Sequence, residues 1–421
     1  MDAGEHYEVK DMGLSEQGKM NIEIAESRMA ALMKIKERFE KEKPFDGVRV
    51  GLALHITKET AVLIKTLRAG GAEVAITGCN PLSTQDDVAA ALAAEGIKVW
   101  GYKGENNDDY YRYLHNVINF APNITIDDGC DLVSEIHLHR EDLIPQIIAG
   151  CEETTTGILR LKAMEKDGAL KYPMIAVNDN KTKHLLDNYY GTGQSTLDGI
   201  MRATNILFTG KTVVVAGYGS CGKGVSLRSR GFGANVIVTE VDNFCALQAQ
   251  MDGFRVMPME KAAELGDIFI TVTGNKHVIR MEHVYRMKPG TIIANSGHFD
   301  IEIDIKSMKL NALNIRRVRP FLDEYTFSGA KKVYVCGEGR LVNLAAAEGH
   351  PSEVMSTSFC GQALAVEYAV KNKDSLQPKV INLPEEIDDH IAGLQLEAIG
   401  IKTDVLTPEQ ISYLNNWQEG T

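Results

Sequence analysis

The chain has 421 residues and a formal net charge of −12, with 45 Lys and Arg against 57 Asp and Glu. This length favours two or three domains, and 44% hydrophobic with 24% charged residues is the composition of a globular enzyme with a sizeable core. The acidic balance excludes the basic stripe of a nucleic-acid binder, and no apolar run nears the roughly 20 residues that span a bilayer.

The polar, acidic start MDAGEHYEVKDMG does not read as a secretory signal, and seven cysteines without paired spacing read as reduced thiols of a cytosolic protein. Ile22, Ala25, Met29, Leu32, Ile35 and Phe39 recur every three or four residues and predict an amphipathic entry helix. Four short apolar runs follow, at 48–54, 73–77, 123–126 and 174–177, each succeeded by a helical pattern. A second series begins at 212–216 and continues through 236–239, 268–271 and 291–294, before a helix at 355–370 and a polar helical tail from about Leu383. Unbroken β-branched runs separated by helices mark parallel sheets covered on both faces, so the expected fold is α/β with two doubly wound, Rossmann-like parallel-sheet domains and a helical C-terminal tail.

The sharpest local signal is Gly217-Tyr-Gly219-Ser-Cys-Gly222, directly after the run 212–216. In a strand–turn–helix setting Gly217 permits the tight turn, Gly219 lets a pyrophosphate approach the backbone, and Gly222 lets helix and strand pack closely. The next strand ends at Glu240, 23 residues after Gly217, where a carboxylate accepts from ribose hydroxyls and repels a 2′-phosphate; the expected cofactor is NAD. The plainer reading of the motif is a βα turn without a ligand. Thr273-Gly274-Asn275 and Asn295-Ser-Gly297-His298 each follow an apolar strand and fit either the nicotinamide side or ordinary turns.

Polar residues also gather at the strand ends of the first series: His55, Thr57 and Glu59; Asp127, Asp128 and Asp131; Glu152 to Gly157; and Asn178, Asp179, Lys183 and Asp187. Singly these read as a structural histidine, capping carboxylates or a surface ion pair, but four clusters at one sheet edge point to a catalytic pocket. No metal site is expected, since His137-Leu-His139 lacks helical ligand spacing and no Cys-x-x-Cys occurs.

At this point the chain resembles the S-adenosyl-L-homocysteine hydrolase family, through Asn80–Val88 (NPLSTQDDV), Glu152–Ile158 (EETTTGI), Val177–His184 (VNDNKTKH), Gly217–Val225, Gly297–Asp304 (GHFDIEID) and Gly339–Glu353 (GRLVNLAAAEGHPSE). The resemblance covers nearly the whole length. It implies a substrate domain of residues 1–181 with 352–382, an NAD domain of 190–350, an oligomerisation tail of 383–421, a homotetramer, and one tightly held NAD per subunit. It implies that Lys183, with a depressed pKa, takes a 3′-hydroxyl proton beside Glu153 and Asp187, that Asp131 handles the C4′ proton, and that His55 serves the C5′ leaving group and water. Asn188 is implied to link this cluster to the nicotinamide, and His298 with Phe299 to form a gate at the homocysteine channel. The implied nucleoside pocket is Leu54, Thr57, Glu59, Thr84, Gln85, Leu344, Gly349, His350, Met355 and Phe359. To the cofactor the resemblance assigns Thr154, Thr155, Thr156, Asn188, Ser220, Cys221, Val241, Asp242, Cys245, Asn343, Gly297, His298 and His350, besides the glycines, Glu240 and the 273–275 loop.

There are departures. Longer members end in Lys-Pro-Asp-His-Tyr-Arg-Tyr, whereas this chain stops at Gly420-Thr421, as short-form members do; Thr192 stands where many have cysteine, and Cys245 where asparagine is usual. Glu59 favours an adenosine over an inosine substrate, because a carboxylate accepts from an amine and opposes a carbonyl. An S-inosylhomocysteine hydrolase, an NAD-dependent 2-hydroxyacid dehydrogenase and a non-catalytic regulatory homologue stand as the alternatives.

Overall fold

The computed structural model describes residues 2–4 and 6–418, so the expectation attached to Gly420 and Thr421 lies outside the described residues. The strands are β1 (Asp2–Gly4), β2 (Tyr7–Val9), β3 (Arg49–Ala53), β4 (Glu73–Thr77), β5 (Lys98–Trp100), β6 (Ile124–Asp127), β7 (Ala149–Glu152) and β8 (Met174–Ala176), then β9 (Thr212–Ala216), β10 (Asn235–Thr239), β11 (Arg255–Val256), β12 (Ile268–Thr271), β13 (Thr291–Asn295), β14 (Asn314–Arg319), β15 (Leu322–Thr326), β16 (Lys332–Cys336) and β17 (Val380–Ile381). They build two sheets, in the orders β1-β2-β5-β4-β3-β6-β7-β8-β17 and β11-β10-β9-β12-β13-β16-β15-β14. Pairing is parallel except for β1/β2 and the hairpin strands β14 and β15 at the far edge of the second sheet.

Each sheet has a switch point where strands on either side are wound in opposite directions, between β3 and β6 in the first and between β9 and β12 in the second. A crevice opens beyond the carboxyl ends of the strands at such a point. The apolar runs are explained by burial on both faces: Val213 and Val215 enter one core cluster and Val214 the cluster on the opposite face. Each sheet thus carries two cores.

The entry helix is two helices, Ser15–Arg28 and Ala30–Glu42, because Met29 leaves helical geometry (φ −102°, ψ 49°) while burying its side chain completely. The apolar period continues across the break. The long helix Ser352–Lys371 returns to the first unit, where Phe359, Cys360, Ala363 and Val366 join its core. The tail also contributes there: β17 pairs with β8, and Ile391 of helix Glu385–Ala398 is fully buried in the same core. Beyond it, Val405, Leu406, Ile411, Leu414 and Trp417 are exposed. No helix among the described residues is long and apolar enough to cross a membrane, and all seven cysteines are free thiols.

Candidate active site

The two crevices open into one cavity of about 1020 Å³ lined from both units. On the first-unit side the chain leaves β3 through Leu54, His55 and Thr57, and Thr57 caps the helix Lys58–Ala69 by accepting from the Thr60 amide. Glu59, in the first turn of that helix, is only 2% exposed and accepts from Ser352 Oγ at 2.6 Å, so it is a buried wall residue rather than a surface one. Leu344, His350, Met355 and Phe359 line the same end.

His55 Nδ1 lies 2.8 Å from Ser83 Oγ, and the serine donates its own proton to the Asn80 carbonyl at 3.0 Å. Nδ1 also lies 3.2 Å from Cys79 Sγ, and the ring's other nitrogen, Nε2, is turned toward the carboxylate of Asp128. Burial pushes His55 down to about 4, against the pull of Asp128, so the ring is neutral near pH 7. Nε2 lies 3.4 Å from Asp128, whose other oxygen is 3.3 Å from Nδ1 of His298, arriving from the second unit. Polar atoms of these three side chains lie within 4.8 Å of one another.

Asp131 corrects the sequence expectation. Its carboxylate is taken by Arg160 at 2.6 Å and by the Tyr110 hydroxyl at 2.9 Å, and it does not line the cavity; Asp128 does. Gly129 and Cys130 both have positive φ (108° and 68°), and this double reversal points Asp131 away at the start of the helix Asp131–His139.

Lys183 lines the cavity, 5% exposed, with Nζ 2.8 Å from Asp187, 2.8 Å from Asn188 Oδ1 and 3.4 Å from Glu153. The segment Thr182–Gly191 is a π-helix, whose wider i→i+5 turn puts residues four and five apart on one face. Asp187 is 1% exposed, which rules out a surface ion pair. Burial alone would discharge Lys183, but Asp187 and Glu153 outweigh it and hold the ammonium well above the ordinary lysine range; the expected depression is not found. Burial opposes the Asp187 charge as well, yet Lys183 and His350 keep that carboxylate well below its usual range. Burial pushes Glu153 up despite the lysine, and Glu153 accepts from Ser358 Oγ at 2.7 Å and from Gln362. His350 Nδ1 bonds Asp187, its Nε2 lies 3.3 Å from Thr192 Oγ1, and Asn188 donates to Asn178.

The second-unit side holds Gly217, Gly219, Ser220, Cys221, Glu240, Val241, the 273–275 loop, Gly297 and Asn343, with Thr154, Thr155 and Thr156 opposite. A Cβ at Gly222 would stand 2.0 Å from the Gly217 carbonyl, whereas at Gly219 it would meet nothing within 4 Å. The loop is therefore closed below and open above, as a phosphate cradle must be. Glu240 accepts from the amides of Tyr218 (2.6 Å), Val241 (2.6 Å) and Asp242 (3.1 Å), which fixes its carboxylate at the cavity lip. Two buried wall atoms, Thr156 Oγ1 and Asn343 Oδ1, have no partner within the described residues. This donor and acceptor set fits a dinucleotide with free ribose hydroxyls.

Several expected residues do not line the cavity. Gly222 serves by packing, Asp242 caps the helix Asn243–Met251 through the Cys245 amide, and Cys245 sits in that first turn. Thr84 is buried beside Gly78, Gln85 accepts from the Lys58 amide, and Gly349 supplies a positive φ of 83° behind Leu344. Sequence reasoning passed over Ser352, Ser358 and Gln362. Their signal was polar residues on an apolar helix, with Ser358 and Gln362 four apart on one face.

Residues 6–149 match the family described as S-adenosyl-L-homocysteine hydrolase, and residues 188–349 match the NAD binding domain of the same family. An S-inosyl-L-homocysteine hydrolase from Methanocaldococcus jannaschii is 59% identical over 99% of this chain and 100% of its own length. An adenosylhomocysteinase from Saccharolobus solfataricus is 56% identical over the same shares, and one from Gloeothece citriformis is 58% identical over 99% of this chain and 97% of its own.

Proposed function

Because this chain belongs to the S-adenosyl-L-homocysteine hydrolase family of NAD-dependent enzymes, we propose that its substrate is the adenosyl compound, cleaved reversibly to adenosine and L-homocysteine. The observation that carries the choice is Glu59, a buried carboxylate in the cavity wall. It accepts from an exocyclic amine but would face the carbonyl of a hypoxanthine ring, and an unmatched buried acceptor costs roughly 1–3 kcal/mol.

A thioether at the ribose C5′ is a poor leaving group, and a ketone at C3′ makes the C4′ proton acidic enough for homocysteine to leave by elimination. NAD, held by the 217–222 turn, Glu240 and the Thr154–Thr156 segment, supplies the reversible oxidation at C3′. Lys183, charged at rest, donates to the 3′-oxygen. It accepts the hydroxyl proton only as it passes its own to Glu153, 3.4 Å away, whose carboxyl burial has raised. Asp187, fixed by His350, keeps Lys183 in place, and Asn188 ties it to the cofactor side. Asp128 takes the C4′ proton. That proton passes from Asp128 by way of His55, whose Nε2 lies 3.4 Å away, to the departing sulfur, and a proton from the water that adds at C5′ returns to C4′ by the same route. His298 and Phe299 gate the homocysteine side, and closure there over bound substrate keeps bulk water from the reactive enone. The working form is a cytoplasmic homotetramer with one tightly held NAD per subunit.

Purified protein given either substrate without added NAD tests this. Homocysteine release from the adenosyl compound, at least about tenfold faster than from the inosyl one, is expected from the Glu59 mismatch. Glu59→Gln, which offers an amide donor, should narrow that ratio. Release from the inosyl compound alone would overturn the choice.

A further inference from the structure

Arg160 has no place in the chemistry above, yet it touches both the loop that seats the gate and the gate's aromatic ring. Its guanidinium donates to the Gly129 carbonyl, to Asp131 at 2.6 Å and to Ser134 Oγ at 3.0 Å, and lies 5.8 Å from the Phe299 ring centroid. Gly129 is itself the seat of His298: a Cβ there would stand 2.3 Å from His298 Nε2, at a φ of 108° that favours glycine. There is no slack between that loop and the imidazole. Below, the loop is pinned by the Gly129 amide on Glu152 and by the Asp128 and Val133 amides on Asp127, all at 2.9 Å. Above, Arg160 is the side chain that reaches both the loop and the second unit's aromatic ring. It belongs to the helix Thr155–Lys166, whose first turn lines the cofactor side of the cavity, so one helix joins that side to the gate.

We propose that Arg160 is a positioning residue for closure: it clamps the 128–131 loop against which His298 seats and holds Phe299 over it, so that oxidised substrate stays in the cavity until it is reduced again. Asp131 and Tyr110 orient the arginine and complete the clamp. The inference rests on reading His298 and Phe299 as the gate. Its chemical consequence is an imbalance that can be counted. Each nucleoside that escapes as its 3′-ketone has lost two electrons, and they remain on the enzyme as reduced nicotinamide, which stops that subunit.

The test uses the holoenzyme with Arg160→Ala, Arg160→Lys and Phe299→Leu beside the wild type, following homocysteine release and reduced-nicotinamide absorbance together. Arg160→Ala should lower kcat about tenfold with less than about a threefold change in KM, as expected for a gating defect. Its progress curves should bend as reduced nicotinamide accumulates in step with the lost activity. Arg160→Lys, which keeps the charge but not the fork, should fall between, and Phe299→Leu should leak with the loop clamp intact. Linear progress curves for Arg160→Ala, or lost activity without reduced nicotinamide, would overturn the proposal. A wild type that releases no homocysteine would instead sink the hydrolase reading itself.

Discussion

At the switch point of the second sheet, six consecutive residues from Gly217 to Gly222 shape the ligand's seat with backbone alone. Along the carboxyl edge of the first sheet the groups proposed to react arrive from separate strand ends: His55 after β3, Asp128 after β6, Glu153 after β7 and Lys183 beyond β8. The same topology therefore produces two kinds of site. One is a local motif that tolerates sequence change elsewhere; the other is an assembled cluster of charges whose members depend on each other's burial. Substitutions should separate the two, since the motif should fail by losing its ligand and the cluster by losing turnover.

The largest effect is expected at Lys183. Lys183→Met should lower kcat by roughly 10²–10⁴ while NAD remains bound, as loss of an acid–base group does. It should also reduce stability by roughly 3–5 kcal/mol, because Asp187 and Glu153 are left buried without their cation. Chemical denaturation alongside steady-state kinetics checks both. Next comes the pair that differs by three positions. Asp128→Asn should cost roughly 10²-fold or more in kcat as a lost general base, and Asp131→Asn about tenfold or less. Equal losses would contradict the assignment of the base to Asp128.

Gly222→Ala should act differently. The methyl meets the Gly217 carbonyl at 2.0 Å, so the protein should lose bound NAD and roughly 1–3 kcal/mol, measurable as nicotinamide content per chain and as the denaturation midpoint. A smaller effect concerns pH. His55 has a folded value of about 4 against 6.5 ordinarily, so below 6.5 the unfolded chain binds a proton that the folded one refuses. Its contribution to stability is present above 6.5 and is lost as pH falls toward 4, on the order of 3 kcal/mol in all. Subtracting the pH–stability curve of His55→Gln from that of the wild type should isolate this loss.

How much was legible follows from the same contrast. The fingerprint, its strand and Glu240 could be read directly because their geometry is written in adjacent residues. The paired sheets followed from apolar runs that both faces bury. The strands β5 and β7 were missed because Lys98–Trp100 is short and Ala149–Glu152 ends in a glutamate that burial alone explains. The hairpin β14/β15 was missed because Asn314–Arg319 is polar and exposed at a sheet edge. Spacing could not choose between Asp128 and Asp131, since the choice rests on two successive positive φ values at Gly129 and Cys130. Nor could it show that Lys183 is held charged, because Glu153 and Asp187 lie 30 and 4 residues away and their burial is a property of the assembled cavity.

The most direct test of the account is the fate of hydrogen at C3′ and C4′. S-adenosyl-L-homocysteine carrying deuterium at C3′ is turned over once in ordinary water, and in a parallel reaction unlabelled substrate is turned over in heavy water. Mass spectrometry of the adenosine should find the C3′ label retained and, in heavy water, one solvent deuterium at C4′. Loss of the C3′ label to solvent, or hydrolysis with no exchange at C4′, would contradict the mechanism built on Lys183 and Asp128.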